Sequence, residues 1–359
     1  MTHDPLPHDE LGKDDPSYHF EWEQFGNLTE DGLLLVDRDQ IIRMANPSAS
    51  KLLGEELVNR PLSAWLQDIN LDDIFDNITA NHRPHEFIYR HAKPITRQFR
   101  VKMMAFGPTF VGVLVMDMTL QRNLDKVRRD FVANVSHELR SPLTSLIGFI
   151  ETLQSTSDID EETRSHFLGI MDEESRRMTR LIDDLISLSR VEVEEHIVPD
   201  EQVDIDSVIA NVSGILADRA QKQNMVISYE NHLEGQPALI QGETDEIVEV
   251  FHNLIENAIK YGFPDSLIHI QLSYAPHSQT HIQCAVTNDG EGIEARHIPR
   301  LTERFYRVDK ARSREKGGTG LGLAIVKHII NRHRGELHIT SDLKKQTCFT
   351  ITLPLQGNH

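Results

Sequence analysis

Apolar residues recur along this chain with more than one period, and each change of period marks a change of element. Between residues 20 and 117, short alternating runs predict strands at 32–36, 41–44, 86–90, 98–105 and 111–116, with small helices between them. From Leu120 the spacing switches. Leu124, Val127, Phe131, Val135, Leu139, Leu143, Leu146, Ile150 and Leu153 fall three or four residues apart, forming one face of a long helix. Residues 155–160 supply a turn. Residues 161 to about 193 repeat the helical pattern through Phe167, Ile170, Met171, Met178, Leu181, Leu185 and Leu188. A two-helix hairpin cannot bury such stripes alone, so two chains are expected to pair as a four-helix bundle. Beyond Asp204 the pattern is mixed: a helix to about Lys222, a strand at 226–229, a helix around Phe251, then three or four strands and a last helix. Helices covering one face of a mixed sheet, a two-layer arrangement, is the expected outcome.

The first long helix carries the first candidate chemistry. His137 lies two residues from both Val135 and Leu139, about 200° around the helix, and so points away from the apolar seam. A neutral imidazole beside a carboxylate is a nucleophile with an adjacent proton acceptor, here Glu138. A solvated surface histidine would show the same pattern, so the assignment depends on the residues downstream. Pro142 lacks the N–H that would bond the Glu138 carbonyl, which predicts a bend there.

Asn253, Asn257, Lys260 and Tyr261 fall on one polar helix face, about 100° from an apolar stripe of Ile247, Phe251, Leu254 and Ala258. Amide oxygens and an ammonium suit a magnesium–polyphosphate group, because Mg²⁺ prefers hard oxygen ligands. Two glycine runs follow. Asn288-Asp289-Gly290-Glu291-Gly292 succeeds a predicted strand at 281–287, and Gly317-Gly318-Thr319-Gly320-Leu321-Gly322 opens a predicted helix at 324–330. Glycines before a helix let the backbone approach phosphate and aim free N–H groups at it. Neither run has the dinucleotide-binding or P-loop spacing. Between them, residues 304–316 hold Arg304, Arg307, Lys310, Arg312, Arg314 and Lys316 against Asp309 and Glu315, which predicts a basic lid over a polyphosphate.

Composition narrows the class. A length of 359 residues allows two or three domains. With 37 basic and 56 acidic residues, a net charge of −19 argues against direct nucleic-acid binding and against an anionic membrane surface. Cys284 and Cys348 sit in apolar runs and read as buried thiols in a reducing compartment. No run reaches the roughly 18 apolar residues of a membrane-spanning segment.

In their order, these motifs resemble the sensor histidine kinases of two-component systems. The phosphate-regulon sensors are the most similar type, through Leu301-Thr-Glu-Arg-Phe305-Tyr-Arg-Val-Asp-Lys-Ala-Arg-Ser313-Arg and Gly320-Leu-Gly-Leu-Ala-Ile-Val-Lys327-His328. The resemblance spans about residues 32–355 and implies a multidomain α+β fold. Residues 1–19 would be a disordered N-terminus and 20–118 a PAS sensor domain with Asp117-Met118-Thr119 as its exit. Residues 119–193 would form the dimeric helical-hairpin phosphotransfer bundle, and 200–356 a two-layer α/β ATP-binding domain of the histidine-kinase ATPase type. His137 would take the γ-phosphoryl group of ATP with Glu138 as base, and Asn257 would hold Mg²⁺. Asn253, Lys260, Tyr261, Asn288, Gly290, Gly292, Gly318, Gly320 and Gly322 would surround the nucleotide. The family places Asp at the Asn288 position, against the adenine amino group. A neutral amide there forgoes charge assistance of about 1 kcal/mol. Ser141 would position water for dephosphorylating the partner, where the family has Thr or Asn. A homodimer, a cognate response-regulator receiver domain and phosphate-starvation signalling follow from the resemblance. So does a cytoplasmic location, with any membrane anchor supplied by a segment outside this chain. The alternatives are a phosphatase-dominated regulator and a non-catalytic dimeric scaffold. In the PAS region the absence of Cys excludes cysteine-adduct flavin chemistry, and His82, His85 and His91 read as loop-surface histidines rather than haem ligands.

Overall fold

The computed structural model describes residue 26 and residues 28–54, 56–91, 96–107, 109–155, 159–233, 235–309 and 317–355. The N-terminal residues expected to be disordered, and Lys310, Arg312, Arg314, Glu315 and Lys316 of the expected lid, lie outside that set. Two compact units divide between Asp130 and Phe131.

In the first unit β1 (Gly32–Asp37), β2 (Ile42–Ala45), α1 (Pro47–Leu53), α2 (Leu71–Asn81), β3 (His85–His91), β4 (Arg97–Phe106) and β5 (Phe110–Asp117) follow in order. The strands form an antiparallel sheet in the order β2-β1-β5-β4-β3. Alternation decides the buried face: Phe99, Val101 and Met103 of β4 and Val111, Val113 and Val115 of β5 point into one core. Trp65 packs edge-on against Tyr89 and Phe99, with centroids 5.3 and 5.6 Å away. The entry to α1 is fixed by Asn46, which is fully buried and fully satisfied. Its Oδ1 accepts from Ala49 N at 2.8 Å and Leu33 N at 2.9 Å, while Nδ2 donates to the Gly26 and Asp31 carbonyls at 2.9 Å. The histidine expectation is corrected in one respect. His85 and His91 are the ends of β3 rather than loop residues, and only His82 lies outside a regular element, capping α2 in a left-handed conformation.

The chain leaves the first sheet into α3 (Thr119–Ser155), whose 37 residues continue as helix across Pro142. In the second unit α3 packs against α4 (Glu161–Glu194), with Phe149 and Phe167 at a centroid distance of 5.1 Å. Asp160 caps α4, its Oδ1 accepting from Thr163 N at 2.8 Å. Then come β6 (Gln202–Asp204), α5 (Ile205–Gln221), β7 (Val226–Asn231), β8 (Leu239–Gln241), α6 (Thr244–Tyr261), β9 (Leu267–Tyr274), β10 (His281–Asp289), α7 (Gly322–Arg332), β11 (Glu336–Asp342) and β12 (Gln346–Pro354). The sheet order is β11-β12-β10-β9-β7, with β7 parallel to β9 and the other pairs antiparallel. Helices α5, α6 and α7 share one core with the inward residues of that sheet, the expected two-layer arrangement. The expected chain order needs correction, because two of the four strands after α6 follow the last helix instead of preceding it. The short ladder of β6 with β8 carries no alternation long enough to be read from sequence.

The stripes of α3 and α4 divide unequally. Leu181 and Leu188 are buried, and Phe131, Leu139 and Leu185 already pack against the second unit's own core. Val127, Leu143 and Ile150 of the α3 stripe stay open, and so do Ile147 on α3 and Leu168, Ile182 and Ile186 on α4, which lie off the expected stripes; all are 40–64% exposed. Among the described residues no helix is long and apolar enough to cross a membrane.

Candidate functional site

Helix α6 builds the site's floor. Ile247, Phe251, Leu254 and Ala258 are fully buried and fix its rotation, which turns Asn253, Asn257, Lys260 and Tyr261 to line a cavity of about 630 Å³. The glycine runs close around it. Gly290, Gly292, Gly317, Gly318, Gly320 and Gly322 all line the same cavity. At Gly322, the first residue of α7, a Cβ would stand 2.6 Å from Asn253 Oδ1, so any larger residue would have to displace the asparagine side chain from its place on the cavity wall. Gly320 takes φ +76° and its carbonyl accepts from Phe305 N at 2.8 Å, holding the expected lid's first turn against the second glycine run. The first run is tied to the end of α6: Phe263 N donates to the Asp289 carbonyl at 2.9 Å.

Asn288 sits at the end of β10, paired in register with Ile268 and Thr347 and 4% exposed, with the cavity as its opening. Its Nδ2 donates to the Asp289 carbonyl at 3.2 Å. Lys260 is paired with Glu256 at 3.2 Å, and Arg219 meets the same carboxylate at 2.6 Å. Burial acts to neutralise Glu256, but the two cations outweigh it and hold the carboxyl below its usual range.

Side chains from α4 complete the wall, and these were not anticipated. Arg180 and Asp184 both line the cavity. Thr319 donates its hydroxyl to Asp184 Oδ2 at 2.6 Å, Ser187 donates to Glu249 at 2.7 Å, and Arg304 pairs with Glu192 at 2.5 Å. Burial pushes the Asp184 carboxyl up to about 6 against the lowering effect of the Thr319 bond, with Glu249 adding to the rise. The packed arrangement therefore favours neutral Asp184. Its contribution to holding α4 against the Thr319 loop is complete below about 4, the free carboxyl's range, and is lost as pH rises through about 6. Amide exchange across residues 317–323, corrected for intrinsic rate, should slow as pH falls from about 7.5 to about 5.5. Asp184→Asn should flatten that dependence; an unchanged profile in the variant would reject Asp184 as its source.

Further along α4, Arg332 of α7 pairs with Glu194 at 3.2 Å, Glu243 at 2.9 Å and buried Glu246. Those three carboxylates have the spacing of a cation site, but the guanidinium already occupies their midst.

His137 is exposed on α3, as its position off the stripe predicts, with Ser141 exposed one turn on. Neither lines the cavity. The link between bundle and cavity is Glu138, whose Oε2 meets Arg177 Nη2 of α4 at 3.1 Å and Arg307 Nη2 of the cavity wall at 3.2 Å. The arrangement thus brings the asparagine face, both glycine runs and Arg307 together, and leaves the imidazole outside.

Comparison with known proteins agrees with this division. Residues 242–357 match the histidine kinase-, DNA gyrase B- and HSP90-like ATPase family, residues 127–194 the His Kinase A phospho-acceptor domain, and residues 25–86 a PAS domain. The phosphate regulon sensor protein PhoR of Pseudomonas aeruginosa is 34% identical over 326 residues, covering 89% of this chain and 71% of that protein. Sensor protein kinase WalK of Staphylococcus aureus is 32% identical over 91% of this chain; the match spans 79% of one WalK sequence and 54% of that from strain MRSA252. Among solved structures, histidine kinase ThkA, crystallised with response regulator protein TrrA, has the same fold. It is 20% identical with a TM-score of 0.51, over 90% of this chain and 96% of that one.

Proposed function

The chain belongs to the sensor histidine kinases of two-component systems, and from that premise we propose that ATP held in the α6–glycine cavity phosphorylates His137. The phosphoryl group then passes to an aspartate of a response-regulator receiver domain. One imidazole nitrogen attacks the γ-phosphorus, the bond to the bridging oxygen breaks, and ADP departs with the electron pair. The proton on the other ring nitrogen goes to Glu138. The observation that carries the reading is one cavity lined by Asn253, Asn257 and both glycine runs, joined through Arg307 to the carboxylate next to His137.

Mg²⁺ fits the donor set, since Asn257 offers a half-buried amide oxygen on the cavity wall beside the space for phosphate oxygens. Asn257 would hold it, and its charge would offset that of the phosphates. Lys260 and Tyr261 would flank the nucleotide. Gly290 and Gly292 would let the base enter closely, and Gly318, Gly320 and Gly322 would face the phosphates. Asn288 would accept from the adenine amino group through Oδ1, the half of its amide not bonded to Asp289. Ser141, one turn beyond His137, would serve dephosphorylation of the regulator. The likeness to the phosphate regulon sensor supports phosphate limitation as the signal.

The open row of Leu143, Ile147, Ile150, Leu168, Ile182 and Ile186 supports a homodimer closed as a four-helix bundle. Ile186→Glu, which puts a charge where 64% of the side chain is still open in one chain, should sediment as a monomer. An unmutated chain that is itself monomeric at micromolar concentration would contradict the dimer.

The test of the whole reaction is incubation with γ-labelled ATP and Mg²⁺, followed by a panel of receiver domains. Label should reach the chain and leave it rapidly for one receiver. Label that never leaves the chain for any receiver contradicts the transfer step.

A further inference from the structure

We propose that Arg307 is a clamp that withholds Glu138 from His137 until a nucleotide's terminal phosphate displaces it. The inference rests on the reading that ATP fills the cavity. Glu138 is gripped from two sides, by Arg177 and Arg307, whose side chains are only 13% and 5% exposed. Both guanidiniums meet Oε2 of Glu138, so that oxygen is already committed and the side chain is tied to its present place. While the pair stands, Glu138 cannot serve as the base.

Arg307 is at the same time unfinished. Its Nε is buried and has no hydrogen-bond partner among the described residues, although the side chain forms part of the cavity wall. A buried N–H without an acceptor, on the wall of a polar cavity, is a donor matched to an incoming anion. A terminal phosphate presents several oxygens to the planar fork of a guanidinium, a better set of acceptors than the single Glu138 oxygen that Arg307 now meets. One guanidinium cannot satisfy both at full strength. Phosphate binding and release of Glu138 are therefore coupled, and by reciprocity removing the Glu138 charge must strengthen phosphate binding. The arrangement keeps the base unavailable until the phosphoryl donor is in place. Arg307 is in this sense a positioning residue, acting on His137 through Glu138.

The test is calorimetric titration of the full chain with the Mg²⁺ complex of the non-hydrolysable β,γ-imido analogue of ATP, and separately with adenosine. Four proteins are compared: unmutated, Glu138→Gln, Arg307→Gln and the double variant. Glu138→Gln should tighten analogue binding by about three- to tenfold, and Arg307→Gln should weaken it by about tenfold. The double variant should match Arg307→Gln within about twofold, because the competition has nothing left to act on. Adenosine affinity should be the same in all four. If the contact merely held the bundle against the cavity, both single variants would tighten binding, adenosine included, and the clamp would be overturned. Analogue binding indifferent to Glu138→Gln would also overturn it while leaving the cavity's assignment intact. No analogue binding by the unmutated chain would remove the cavity reading and the clamp together. Arg307→Lys, which keeps the charge but not the fork, should fall between the unmutated chain and Arg307→Gln and covers any failure of the latter to fold.

Discussion

A His137→Gln chain should fold, pair and bind ATP like the unmutated chain, yet take no phosphoryl label from it. The side chain is exposed on α3 and takes no part in the cavity wall, so its replacement removes no packing. Surface substitutions of this kind change stability by about 0.5 kcal/mol or less. Glutamine keeps a polar side chain of similar size but has no ring nitrogen with a free pair to attack phosphorus. The expected effect is complete loss of label with an unchanged melting temperature. Label at the unmutated level on the variant would place the acceptor elsewhere.

The second large effect is expected at Asn257. Alanine is the best helix former, and position 257 is half-buried on a helix otherwise fixed by Ile247, Phe251, Leu254 and Ala258, so α6 should persist. What goes is the amide oxygen on the cavity wall that is proposed to hold Mg²⁺. Losing a hard-oxygen ligand to a cation is worth about 1.5–3 kcal/mol, roughly 10- to 150-fold in affinity. Titration should show that loss for ATP with Mg²⁺ and almost none without it. Equal affinity for the variant and the unmutated chain, with the metal present, would reject Asn257 as the metal-holding residue.

Much of the fold was legible because it is written in local periods. All five strands of the first sheet fall within one residue of their expected bounds, and in β4 and β5 the alternation against one buried face is the reason. The asparagine face and the glycine runs were legible for the same reason: helical spacing and glycine positions are local, and the cavity unites them. The contacts that join bundle to cavity were not. Glu138 and Arg307 are 169 residues apart, and Asp184 and Thr319 are 135 apart. Arg177, Arg180 and Asp184 lie on the polar face of a long amphipathic helix, where a residue aimed at a cavity is indistinguishable by spacing from one aimed at water. In the sequence Arg307 stands as one cation of a basic run and one position of the family-like motif, and its ion pair with Glu138 has no local signature. The order of the last strands was missed because short apolar runs on either side of a helix carry no mark of which precedes it.

The central claim is that this cavity delivers phosphate to one imidazole, and mapping the modified residue tests it most directly. The unmutated chain is incubated with γ-labelled ATP and Mg²⁺, the label's chemical stability is measured, and the labelled peptide is sequenced. A phosphoramidate on His137 predicts label lost in acid, retained in base and confined to the peptide around residues 131–140. Acid-stable label, or label mapping to any peptide without His137, would contradict the account.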